Sequence, residues 1–256
     1  MLGSVGSANS WQWAAWGKHP AARDYFGVGP PDPLVKAFSD WVERGFKTLN
    51  PKGDELSGPS SWRFWARGAK RKTIVCGVVR DSSDSLGRPY PLLVMGVGII
   101  EGWEDQWDLL PFACEKTWCQ MEHLSAMGSA SFGELEAQVK ALVPPYPVWL
   151  EFMSQKGGLH EASSVGENAG SSPSIKELAN RLATVSQGKD FFASLDGGLA
   201  NDPQTLAALW HGLMKARMSD IPSAVFMGGT PDQASLAVFK RALAPTDFVR
   251  LWSGEG

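Results

Sequence analysis

Three short runs of aromatic and β-branched residues, Trp62–Ala66, Thr73–Val79 and Tyr90–Ile99, follow one another with only brief polar breaks. Gly, Pro, Ser and Asp bound each run, the pattern of strands ended by turns. Connections this short predict antiparallel neighbours, because a parallel pair needs a crossover of about a dozen residues or more. An antiparallel meander is therefore the frame onto which the rest of the chain must fit. Gly77, Gly96 and Gly98 inside these runs point to bulges or close packing. Alternation along β-structure sends Trp62, Phe64 and Ala66 to one face and Arg63, Trp65 and Arg67 to the other.

Helical patterns flank the meander. Asp32 followed by Pro33 predicts a helix start, since the carboxylate accepts a first-turn amide and proline loses nothing at that position. Leu34, Phe38, Trp41, Val42, Gly45 and Leu49 then share one apolar arc. Leu109–Met127 predicts a second helix, and Ser131 with Glu134 caps a third through Leu142. Val148–Met153 reads as a further strand, and 154–172, small and glycine-rich, as a flexible surface loop. Beyond it, Ser174 with Glu177 and Asp202 with Pro203 each start a helix. Ser223–Met227 is expected to be a short buried strand, and Thr230–Pro231 to open a helix carrying Leu236, Phe239 and Leu243. Strands clustered early, one late strand and helices on both sides predict a single domain over 1–256 of α/β class, a three-layer α-β-α sandwich with a mixed, partly antiparallel central sheet.

A net charge of −3 gives no overall field for nucleic acid or an anionic membrane. No run is apolar for the roughly 20 residues a membrane span needs, and the first residues lack the basic start of a secretory signal. Three cysteines, Cys76, Cys114 and Cys119, cannot all pair with one another, which fits a reducing compartment. The expected location is the cytoplasm, without nucleic-acid binding or membrane insertion.

Catalytic devices are hard to find. On a helix, Cys119 and His123 lie near one another but Cys114 points away, so three metal ligands do not converge. Gly128–Gly133 has the wrong spacing for a nucleophile elbow. Gly27-Val28-Gly29 lacks the third glycine of a dinucleotide fingerprint, and Gly17-Lys18 lacks the remainder of a P-loop. No cofactor is expected. Arg63, Arg67, Lys70, Arg71 and Lys72 interleave with Trp62, Phe64 and Trp65; an Arg–Trp stacking pair or a protein-contact patch suits that composition better than a nucleic-acid surface in an acidic chain. Asp81, Asp84 and Arg88 form one charged group and Arg23 with Asp24 another, either ion pairs that fix a loop or the acid–base groups of a hydrolase-like cleft.

Two stretches carry a family resemblance. The first is Gly17-Lys18-His19-Pro20 followed by Arg23-Asp24-Tyr25. The second is Trp62-Arg63-Phe64, then Ser83-Asp84-Ser85-Leu86-Gly87-Arg88, then Tyr90-Pro91-Leu92. Together they resemble the TagF family, also called ImpM, accessory proteins of bacterial type VI secretion. In the family pattern a glycine stands where this chain has Arg23, and Pro-Ser stands near Asp81-Ser82. The resemblance implies a non-enzymatic, post-translational repressor that binds the scaffold protein carrying a forkhead-associated domain and blocks apparatus assembly. Some relatives are fused to a metal-dependent phosphatase, for which the 256 residues leave no length. The resemblance assigns Lys18, Arg23, Asp24, Trp62, Arg63, Asp84, Arg88, Tyr90 and Pro91 to partner binding or to supporting the motif. A hydrolase-like enzyme using Asp24, Asp84 and Arg88, and a structural component of the secretion apparatus, are the competing readings.

Overall fold

In the computed structural model the described residues are 11–49, 59–126, 131–154, 190–195 and 203–254. Eight strands form one sheet: β1 (Gln12–Gly17), β2 (Phe26–Val28), β3 (Ser61–Arg67), β4 (Thr73–Arg80), β5 (Leu92–Ile99), β6 (Phe191–Ser194), β7 (Ala224–Thr230) and β8 (Gln233–Phe239). Their order is β2-β1-β5-β4-β3-β7-β8-β6. The helices are α1 (Pro33–Leu49), α2 (Leu110–Ala126), α3 (Phe132–Lys140), α4 (Pro203–Arg217) and α5 (Pro245–Ser253), with a 3₁₀ turn at Trp107–Leu109.

The meander β3-β4-β5 stands at the centre of the sheet as the spacing requires. A tight turn joins β3 to β4, where the Gly68 amide donates to the Thr73 carbonyl at 2.9 Å and Lys72 takes a left-handed φ of 64°. The longer β4–β5 connection is free to build a shaped loop. β1 pairs with β5 and β7 pairs with β3, so both ends of the chain extend the same sheet.

Every pairing between neighbouring strands is antiparallel, which corrects the expectation of a mixed sheet. The cause lies at Thr230–Pro231. Pro231 and Asp232 occupy a hairpin tip, with Thr230 opposite Gln233, and β8 returns beside β7. Leu236 and Val238 belong to one buried cluster while Ala237 and Phe239 belong to the other, an alternation of period two. Residues 149–154 are helical rather than extended, with Phe152 N–H donating to the Val148 carbonyl at 3.1 Å. Short apolar runs do not distinguish the two by periodicity alone. The expected glycine-rich loop from 155 onward and the helix start at Ser174 lie outside the described residues.

Alternation gives the sheet two apolar faces, and helices meet both. Trp62, Phe64, Val79, Met95, Phe226 and Phe239 pack with Phe38, Trp41 and Val42 of α1 and Phe248 and Trp252 of α5. Trp65, Ile74, Val78, Val94, Val225 and Val238 pack with α2, α3 and α4. Asp32 caps α1 as expected, accepting the Leu34 amide at 2.7 Å, and Ser131 caps α3 through the Glu134 amide. At α5, the Asp247 carboxylate accepts the Ala244 amide at 2.7 Å and is held by Arg241. The strand glycines serve close packing: a Cβ on Gly96 would stand 2.0 Å from the Trp13 ring, and one on Gly98 2.3 Å from Trp11. The register through β4 and β5 runs without a bulge.

Candidate interaction site

The β4–β5 connection turns on Asp84. Its Oδ1 accepts the amides of Leu86 and Arg88, each at 3.0 Å, the geometry by which an aspartate folds its own loop back. The Gly87 amide bonds the Asp84 carbonyl at 2.9 Å, with Gly87 at a φ of 77° where glycine carries no Cβ penalty. Ser83 and Pro89 close the loop base as an antiparallel bridge.

Two cations meet the remaining oxygen. Lys18 Nζ lies 3.0 Å from Asp84 Oδ2, and Arg88 Nε lies 2.7 Å from the same atom. Asp84 and Lys18 are both buried. Burial alone would raise the Asp84 pKa, but the Arg88 and Leu86 amides and the Lys18 and Arg88 side chains outweigh it and hold the carboxyl well below the usual range. Hydrogen bonding to Asp84, with the field of Asp24, holds the Arg88 guanidinium above its ordinary value.

Lys18 reaches this position because β1 ends at Gly17, whose φ is 126° and whose missing Cβ would stand 2.1 Å from the Pro91 carbonyl oxygen. That close pass brings Pro91 and the chain after β1 together. His19 then turns the chain, its carbonyl and Nδ1 accepting the amides of Ala22 and Ala21. The Ser85 amide bonds the Ala22 carbonyl at 2.9 Å, and Arg88 Nη2 bonds the Arg23 carbonyl at 2.7 Å and lies 3.4 Å from Asp24. Arg23 thus contributes its backbone, while its side chain is exposed.

Aromatic rings line one side of the latch. Tyr25 and Tyr90 meet edge to face at 4.6 Å, Trp16 and Phe46 contact Tyr90, and Lys18 Nζ sits 4.8 Å from the centre of the Tyr25 ring. Burial raises the Tyr90 phenol pKa strongly, with Tyr25 and Glu43 adding to it, and burial followed by Asp24 and Glu43 raises that of Tyr25. Tyr25 nevertheless keeps 54% of its surface exposed, and Leu86 at the loop tip keeps 62%. These are two apolar contacts on a backbone fixed from several directions. Exposure of Leu86 is not readable from a short loop sequence.

Lys18, Arg23, Asp24, Asp84, Arg88, Tyr90 and Pro91 thus come together; Trp62, Arg63 and Asp81 do not join them. Trp62 is buried beneath α1 and α5. Arg63 faces α2 and pairs with Glu122 and Glu115 at 2.6 and 2.8 Å. Burial would lower its pKa, but these carboxylates raise it. For Arg63 the expectation of stacking on Trp or of a free contact is corrected, since its guanidinium is committed to ion pairs within the chain. Asp81 turns toward the C-terminus, accepting Trp252 Nε1–H and the Ser60 amide, each at 2.7 Å. Burial pushes its carboxyl up, with both hydrogen bonds acting in the opposite direction. A cleft of about 560 Å³ beside Arg63, lined by Arg80, Trp118 and Met227 among others, has none of Lys18, Asp84 or Arg88 on its wall.

Cys114 is buried in the core, whereas Cys119 is exposed beside Glu115 and His123 is exposed. Among the described residues, no group of three or more His, Cys, Asp or Glu side chains is placed to hold a metal ion. Among them also, no helix is long and apolar enough to cross a membrane.

Comparison with known proteins bears on this geometry. No curated protein matches the chain. In the crystal structure of PA0076 from Pseudomonas aeruginosa PAO1, 96% of that chain superposes on 96% of this one at 20% identity and a TM-score of 0.52, a likeness of fold. Residues 14–142, which contain most of β1, the Lys18–Tyr25 segment and the whole Asp84 loop, match the TagF N-terminal domain, type VI secretion system-associated. The chain belongs to the TagF N-terminal domain family of type VI secretion system-associated proteins.

Proposed function

We propose that this chain is a non-enzymatic, cytoplasmic regulator that binds the forkhead-associated-domain scaffold of the type VI secretion system and blocks apparatus assembly. The observation carrying the reading is the latched loop. Asp84 is enclosed and its oxygens are taken by two cations and two amides, so it is unsuited to exchanging protons with a substrate. What the latch achieves is to hold Tyr25 and Leu86 outward on an ordered backbone, where little freedom remains to be lost on binding. A repressor needs only different affinities for two states of its target, and no chemical step.

Deletion and overproduction in the parent bacterium test the reading. Deletion is expected to raise the amount of secreted apparatus protein and overproduction to lower it, with the scaffold co-purifying with the wild-type chain. A fall in secretion on deletion would make the protein a component of the apparatus. Turnover of a generic phosphatase or esterase substrate, lost in Asp84→Asn, would make it an enzyme.

A further inference from the structure

The segment between α3 and the helical turns at 149–154 has a geometry that its prolines dictate. Pro144, Pro145 and Pro147 fix their own φ near −65°, and each excludes helix at the residue before it, which restricts Val143, Pro144 and Tyr146 to extended conformations. Residues 142–148 accordingly carry neither helix nor strand. Leu142 and Pro145, three residues apart, are buried, Val143, Pro144 and Tyr146 are exposed, and Pro147 and Val148 are half-buried. Three residues per turn is the signature of the left-handed polyproline helix. Leu142 and Pro145 lie on the core, and Val143, Pro144 and Tyr146 face outward.

Both ends of this helix are clipped. Thr117 Oγ1 donates to the Val143 carbonyl and the Val143 amide donates to Gln120 Oε1, each at 2.9 Å. Beyond the last proline, Trp149 Nε1 donates to the Glu101 carbonyl at 3.0 Å. Tyr146 keeps 78% of its surface exposed and Leu150 79%, and the ten residues 141–150 carry no charge. An uncharged, pre-extended ridge with proline and tyrosine outward offers nothing to an ionic partner. It fits the mode of recognition in which proline ridges slot between aromatic side chains.

We infer that the exposed Val143, Pro144 and Tyr146, with Leu150, form a docking ridge for a partner protein bearing an aromatic-lined groove. The ridge lies outside the Lys18–Asp84 latch and its occupancy does not depend on the scaffold reading. Because the helix is already formed and clipped, docking loses little conformational entropy.

The test uses the full chain with p-benzoylphenylalanine at position 146 for photo-crosslinking in the parent bacterium, and the same group at exposed Lys36 as control. The expected result is one protein cross-linked at 146 and not at 36, with the link mapped to an aromatic-lined groove. In titrations with that purified protein, Pro144→Ala combined with Tyr146→Ala should weaken affinity at least about tenfold while leaving the melting temperature unchanged. The inference is overturned if cross-linking at 146 does not exceed that at 36, if the link joins two copies of this chain or maps to a charged surface, or if the double variant binds as the wild type does. Loss of scaffold binding with this cross-link intact would count against the regulatory reading alone.

Discussion

Lys18 Nζ and Asp84 Oδ2 meet at 3.0 Å in the interior and join the segment after β1 to the loop between β4 and β5. Removing one partner of a buried pair leaves the other uncompensated, which destabilises more than removing both. Asp84→Asn and Lys18→Met should each lower the melting temperature, and the double variant should recover part of the loss. The sign with pH follows from the depressed Asp84 pKa: the contribution is complete above the ordinary value of 3.8 and is lost as pH falls below it. Thermal melts from pH 7 down to pH 2 should show the gap between wild type and Asp84→Asn closing in the acid range.

Gly45 and Gly133 should respond to alanine with opposite signs. A Cβ on Gly45 of α1 would stand 2.3 Å from Cβ of Phe248 in α5, whereas one on Gly133 in α3 meets nothing within 4 Å. Gly45→Ala should cost about 1–3 kcal/mol through overpacking, and Gly133→Ala should stabilise by about 0.5–1 kcal/mol. Denaturant unfolding of the two variants checks both.

Trp65 and His211 fix a tautomer. Trp65 Nε1–H can only donate, so His211 Nε2 at 3.0 Å accepts, and Nδ1 carries the proton that it gives to the Ala207 carbonyl. Ring nitrogen shifts should therefore identify the neutral Nδ1–H form. Trp65→Phe, which withdraws that donor, should cost at least about 1–3 kcal/mol.

The three thiols should separate by exposure. Cys76 and Cys114 are buried and Cys119 is exposed. Burial and the Glu115 carboxylate raise the Cys119 pKa, so even this thiol should react slowly near neutrality. A disulfide reagent should modify one thiol in the folded chain and three after unfolding.

What was legible in the sequence was local. Asp32–Pro33 and Ser131–Glu134 satisfy helix ends with their own side chains, and β3-β4-β5 need only short turns, so each declares itself within a dozen residues. Leu236, Phe239 and Leu243 fit a helix as well as a strand, and only the pairing of β8 with β7 decides between them. β1 and β2 were hidden for a related reason. Trp11 and Trp13 lie over Gly98 and Gly96, and that complementarity is visible only once β1 is known to pair with β5. At the site, the charges of Asp84 and Arg88 mark a loop-fixing group, whereas Lys18 is singled out only by the family resemblance. Nothing in a sequence says that Asp81, three residues from Asp84, turns instead to Trp252, or that α2 supplies two carboxylates to Arg63.

The account stands on Tyr25 and Leu86 being the contacts that the latch presents. Calorimetric titration of the purified chain with the purified forkhead-associated scaffold measures this directly. Leu86→Asp and Tyr25→Ala should fold as the wild type does yet bind at least about tenfold more weakly. Wild-type affinity in both variants would contradict the account.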